Sequence, residues 1–135
     1  MIVDTSFVLD VIDDVDAAVR KERELEAESV PLVIPSTTVL ELYIGVGKAA
    51  NTRQEHRAVE AVLDSYPVVD TTPSIARRAG RLLGERMAEA DEDEGPGIGK
   101  GDATIAATAL ERDEPVLAGD SHFENIPGVA VETYR

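Results

Sequence analysis

A chain of 135 residues suits one domain, residues 1–135, and its 27 acidic against 13 basic side chains leave a formal charge of −14. That balance argues against a protein that grips nucleic acid through a broad basic face, while 43% hydrophobic content is too high for a disordered acidic tail. With no Cys, and His56 and His122 the only histidines, disulfides, Cys-ligated zinc, a thiol nucleophile and His-rich metal sites are excluded, leaving carboxylates and hydroxyls to carry any chemistry.

Met1-Ile2-Val3 reads as a buried strand that ends at Asp4. Thr5 or Ser6 is placed to cap the next helix, with Phe7, Val8, Val11 and Ile12 on its apolar face. Asp16 to Glu28 reads as a charged surface helix, and Pro31 to Pro35 as a short apolar strand. Ser36, Thr37 or Thr38 opens a third helix, in which Glu41 follows Thr38 at capping-box spacing. A helix from Asn51 or Thr52 to about Leu63 leads to a strand over Tyr66 to Val69. Ser74 starts a long helix to about Ala90, and the acidic Asp91 to Gly97 stretch is a solvated loop. Asp102 opens an Ala-rich helix over Ala103 to Glu111, followed by strands at Pro115 to Ala118 and Val129 to Val131. Strands spaced by helices predict an α/β domain with a central, mostly parallel sheet of about five strands, flanked by helices on both faces.

No apolar run approaches the ~18 residues of a membrane span, and Met1-Ile2-Val3 meets Asp4 without a secretory leader, so a cytoplasmic protein with no membrane partner is expected. Of the 13 bases only Lys21, Lys48 and Lys100 are lysines; few Lys beside many acids suggests a surface adapted to high salt, with an ordinary acidic protein as the alternative.

Ligands of an open parallel sheet bind beyond the carboxyl ends of its strands. Asp4 and Asp120 fall there, while Asp102 and Glu41 fall near helix starts that follow loops. All four acids lie in apolar stretches, unlike the surface charge around them. Gathered at one edge they would repel and raise one another's pKa unless a cation intervened. Oxygen-only ligands suit Mg²⁺ or Mn²⁺, which permits metal-assisted phosphodiester hydrolysis. Plainer roles stand beside this one: Asp102 as a helix cap, Glu41 as the capping-box partner of Thr38, Asp120 as a turn residue. Gly97, Gly99, Lys100 and Gly101 lack P-loop spacing, and Asp4-Thr5-Ser6 lacks the Asp-x-Asp of a haloacid-type phosphatase.

Four segments in order carry a resemblance: Met1-Ile2-Val3-Asp4-Thr5-Ser6, Pro35 to Gly45 around Glu41, Gly101-Asp102-Ala103-Thr104-Ile105-Ala106-Ala107, and Leu117 to Phe123 with Ile126-Pro127-Gly128. Across nearly its whole length the chain resembles a PIN-domain ribonuclease, most of all the VapC-type toxins of toxin–antitoxin pairs. The resemblance implies that Asp4, Glu41, Asp102 and Asp120 hold Mg²⁺ or Mn²⁺, with Thr5 or Ser6 orienting Asp4 or a water. It implies an endoribonuclease toxin acting on RNA, a homodimer, and a cognate antitoxin that plugs the pocket with a basic side chain. A housekeeping RNA-processing nuclease and a catalytically silent binding module are the alternatives. The family usually has Thr where this chain has Ala118, two residues before the fourth acid.

Outside those segments, Arg77 and Arg81 share a helix with Arg78 and Arg86, and read either as phosphate contacts or as helical partners of nearby acids such as Glu85. His122 reads as a turn residue or an RNA contact, and Phe123 as core.

Overall fold

Short strands that are apolar on every residue need cover on both faces, and helices supply it. The computed structural model describes residues 1–135. In chain order the elements are β1 (Ile2–Val3), α1 (Thr5–Ile12), α2 (Asp16–Ala27), β2 (Ile34–Pro35), α3 (Ser36–Lys48), α4 (Thr52–Ser65), β3 (Val68–Val69), α5 (Pro73–Glu89), α6 (Lys100–Arg112), β4 (Val116–Ala118) and β5 (Val131–Thr133). Every strand pairing is parallel.

The strands form a three-stranded sheet, β1-β4-β5, and a two-stranded pair, β2-β3, in place of the single sheet of about five strands expected from the sequence. One parallel bridge, Ile2 to Val33, joins them. It consists of Val33 N–H donating to the Met1 carbonyl and Val3 N–H to the Val33 carbonyl, both at 3.0 Å. Pro31, Pro35 and Pro67 flank or sit in the two strands and have no N–H to donate, which keeps this ladder short. β5 begins at Val131 rather than Val129, because the turn through Gly128 at φ 82° first has to bring the chain back to β4.

Alternation along the strands sorts two cores. Ile2, Val116 and Ala118 face a cluster with Ile75, Ala79 and Leu83 of α5 and the alanines of α6. Val3 and Leu117 face the opposite cluster, with Phe7, Val8, Leu25, Leu42 and Val59 from α1 to α4. Small residues on α6 (Ala103, Ala106, Ala107) let that helix lie close to both α5 and the sheet. No helix is long and apolar enough to cross a membrane.

Three predicted helix starts are corrected, all at the strand edge that matters for function. Asp4, not Thr5 or Ser6, caps α1 by accepting from the Phe7 N–H at 2.9 Å. Pro35 precedes α3 without any side-chain cap, and Thr38 is fully buried in its first turn, so no capping box forms with Glu41. α6 starts at Lys100, which moves Asp102 from the cap into the first turn. At α1 and α3 the strand feeds its helix with almost no loop, so the residue at the strand end does the capping or none does; α6 instead follows the loop after α5.

Candidate active site

β1 and β4 lie side by side and parallel, with Val3 opposite Leu117, so the residues that follow both strands emerge at one edge. Asp4 is held there by its own N–H, which donates to the Leu117 carbonyl at 3.1 Å. Its side chain is 4% exposed. Oδ1 accepts from Phe7 N–H at 2.9 Å, and the Ser6 hydroxyl reaches Oδ1 at 2.9 Å and Oδ2 at 2.8 Å. Burial outweighs these bonds and, with the Asp120 and Asp102 charges adding to it, pushes the Asp4 carboxyl from 3.8 up to about 6. No cation pairs with it in the protein.

Asp102 comes from the first turn of α6, where the helix dipole favours a negative charge. Its Oδ2 accepts only a long bond from the Gly99 N–H, 3.4 Å. Asp120 follows β4 in a turn in which its Oδ1 accepts from the His122 N–H at 3.0 Å. The turn reading of Asp120 and His122 is therefore correct as far as it goes. The His122 ring goes further: Nδ1 stands 3.4 Å from Asp120 Oδ1 and 3.6 Å from Asp102 Oδ2, between the two acids.

Glu41 reaches the same place from α3. A methyl group built on Gly101 would lie 2.5 Å from Glu41 Oε1, so the Glu41 carboxylate occupies the space that a side chain at position 101 would take. Burial raises the Glu41 carboxyl above its ordinary range, the Thr5 hydroxyl opposes the rise, and the Asp102 charge adds to it. Thr5 Oγ1 also donates to Thr38 Oγ1 at 3.2 Å, tying α1 to α3 beside the site.

The structure thus brings Asp4, Asp102 and Asp120 within electrostatic reach of one another and Glu41 within reach of Asp102. No three of them close into a compact ligand cluster, as expected of like charges with nothing between them. The donor set still fits a hard divalent cation: oxygen ligands only, one of them a buried carboxylate without a counter-charge, beside a glycine that leaves room for another.

The helix arginines are not brought to this edge in the same way. Arg81 pairs with Glu85 at 3.1 Å and lines a groove with Leu110, Pro127 and Gly128, near the end of α6 opposite to Asp102. Arg77 is exposed on α5 and has no ion pair. Arg86 donates to the carbonyls of Pro96 and Asn125, which fastens the acidic loop to the turn after β4. Phe123 is fully buried in the core, and so is Ala118, whose side chain points away from the acids into the α5–α6 cluster. Sequence reasoning passed over Tyr134, whose hydroxyl would lie 2.5 Å from a methyl group on Gly119, next to Asp120. Only that glycine, placed before an acid, hints at the close approach.

The sequence profile of the PIN domain matches residues 1–129. No protein of curated function matches the sequence. Among solved structures, VapBC2 from Rickettsia felis bound to a promoter DNA fragment is similar at a TM-score of 0.85 and 21% identity, covering 99% of this chain and 98% of that one. DNA-bound VapBC from Salmonella typhimurium is similar at a TM-score of 0.81 and 24% identity, covering 99% and 97%. VapC20 from Mycobacterium tuberculosis, a sarcin-ricin loop cleaving toxin, is similar at a TM-score of 0.67 and 21% identity, covering 91% and 92%. A match over residues 1–129 of 135 shows that this chain belongs to the PIN domain family.

Proposed function

We propose that the protein is a Mg²⁺- or Mn²⁺-dependent endoribonuclease and the toxin of a toxin–antitoxin pair. The observation that carries this reading is Asp4, a carboxylate 4% exposed with no cation beside it and two further carboxylates raising its pKa. Such an arrangement costs folding free energy and is retained where the charge is needed for binding. A divalent cation held there supplies charge neutralisation and an activated water for phosphodiester hydrolysis.

Within that reading the chain's own groups have distinct tasks. Asp4 and Asp102 hold the cation, and Glu41 and Asp120 complete the oxygen set or hold the attacking water. Ser6 fixes the Asp4 carboxylate through its hydroxyl, and Thr5 steadies Glu41. RNA approaches a face of strong negative potential, so the cation is the bridge to its phosphates, with Arg77, exposed and unpaired, as a contact beyond it.

The partner assignment draws support from similar solved structures, among them a toxin–antitoxin complex from Klebsiella pneumoniae. An antitoxin and a second copy of the chain both need apolar surface. Leu40 and Ile44, one turn apart on α3 and 63% and 53% exposed, offer it. A cytoplasmic setting follows from an RNA substrate.

The test is cleavage of structured and unstructured RNA by the purified protein with Mg²⁺, Mn²⁺ or EDTA, beside Asp4→Ala and Asp102→Ala. Cleavage that needs the metal and is lost in both variants while their circular dichroism stays native is the expected result. Activity indifferent to EDTA, or undiminished in either variant, overturns the assignment.

A further inference from the structure

Tyr134 follows the last strand, 124 positions from its hydrogen-bond partner Asp10, yet its side chain reaches the acidic edge. The phenol donates to Asp10 Oδ2 at 2.7 Å, and Arg135 pairs with the same carboxylate oxygen. The ring stands edge-on to Phe7 of α1, with centroids 5.2 Å apart, and carries the Arg135 guanidinium 5.6 Å above it. Ring and hydroxyl are therefore both fixed.

This fixed phenol lies between the two acid-bearing segments. On one side is the start of α1, where the ring packs on Phe7 and the phenol faces Ser6, whose hydroxyl binds Asp4, with the Asp4 charge within electrostatic reach. On the other is Gly119, where a methyl group would meet the Tyr134 hydroxyl at 2.5 Å, Cζ at 2.8 Å and Arg135 Nε at 3.2 Å. Separations this short leave no room for a side chain at position 119. One rigid group stands between the β1–α1 junction and the turn that carries Asp120.

We infer that Tyr134 is a positioning residue of the site, a wedge whose phenol sets the separation of Asp4 and Asp120. Asp4 and Asp120 repel each other and are not joined by any direct bond; the β1–β4 ladder fixes Asp4 against Leu117, and beyond Ala118 the turn that carries Asp120 needs a further brace. The Phe7 ring and the Asp10–Arg135 pair hold the wedge. The inference rests on the nuclease reading for its consequence, the width of a cation site, but the wedge contact itself is testable without a metal.

Three variants test it: Tyr134→Phe, Tyr134→Ala and Gly119→Ala, with the Gly119→Ala/Tyr134→Ala double variant. Mn²⁺ affinity is read by calorimetry, RNA cleavage as kcat and KM, and stability by urea unfolding in EDTA. Tyr134→Phe keeps the ring and loses the hydroxyl; Mn²⁺ binding about tenfold weaker and a lower kcat at unchanged KM are expected. Gly119→Ala is expected to destabilise the parent strongly and the Tyr134→Ala background hardly at all. Two results overturn the inference alone: Tyr134 variants that lose stability but bind Mn²⁺ and turn over like the parent, or Gly119→Ala and Tyr134→Ala effects that simply add. A parent protein that neither binds Mn²⁺ nor cleaves RNA overturns the nuclease reading, and the positioning role with it.

Discussion

Replacing Asp4 with Asn keeps the shape and the Oδ1 acceptor for Phe7 N–H and Ser6 but removes the charge. The Asp4 carboxyl stands at about 6 in the folded protein against 3.8 ordinarily, so folding favours its neutral form. A raised carboxyl weakens the fold as pH rises, because the folded state holds the proton that the unfolded chain has already released. The penalty is absent below about pH 4, grows between about 4 and 6, and is complete above that at about 3 kcal/mol. About half of it is present at pH 5.0 and all of it at pH 7.5.

Asp4→Asn is therefore expected to be more stable than the parent in EDTA, with an advantage on the order of 1 kcal/mol larger at pH 7.5 than at pH 5.0. Any fixed difference in how Asn and Asp pack cancels in that comparison. For a chain of this length, the full effect at pH 7.5 raises the melting temperature by roughly 10 °C. Urea unfolding at the two pH values gives the number directly. Saturating Mg²⁺ is expected to reverse the order, because only the parent gains binding free energy in the folded state. An advantage that does not grow with pH, or that survives saturating Mg²⁺, refutes the claim that Asp4 is a buried charge awaiting a cation.

Three further outcomes follow from other contacts. Gly101→Ala pushes the Glu41 carboxylate out of its place, so kcat falls roughly tenfold while the melting temperature moves little, since the displaced atoms are the end of a flexible side chain; kinetics and calorimetry together check this. His122→Lys places a lasting positive charge beside Asp102 and Asp120, so the metal-free protein gains up to about 1 kcal/mol and Mn²⁺ binding weakens, read by unfolding and titration calorimetry. Phe123→Ala empties a fully buried site in the α5–α6 core and costs about 3–5 kcal/mol, measured by denaturant unfolding.

The strands and most helices were legible because their patterns are local: the apolar triplets and the Asn51 cap, while the long helix expected from Ser74 starts one residue earlier, at Pro73, with Thr72 as its cap. Placing Asp4 and Asp120 at one edge needed only the rule that parallel strands share a carboxyl end. Cap assignments at that same edge failed, since Asp4 serves as both strand terminus and cap, and no local pattern separates the two roles. The break between β1 and β2 was written in prolines whose effect on a ladder depends on which neighbour they face. His122 was readable as a turn residue but not as a group between two carboxylates, because Asp102 arrives from another element. Tyr134 offered no signal of its own, its partners being Asp10, Phe7 and Gly119 from distant parts of the chain.

The two glycines at the site share one physical logic. Each immediately precedes an acid, Gly101 before Asp102 and Gly119 before Asp120, and each leaves a space that a side chain from elsewhere fills, Glu41 in one case and Tyr134 in the other. A glycine before an acid reads, from sequence, as a loosened turn or a helix entry. Here the missing Cβ admits a foreign group to within contact of the acid's own backbone. The acids are consequently not held by their own elements alone: Glu41 packs at the residue before Asp102, and Tyr134 at the residue before Asp120 and against Phe7 of α1. Such interlocking explains how like charges stay gathered at one edge of a protein that already carries a charge of −14. It also separates the two positions in consequence. At position 101 a side chain meets a flexible carboxylate, which can retreat at little structural expense. At position 119 it meets a ring braced by Phe7 and Arg135, so the backbone that carries Asp120 has to yield.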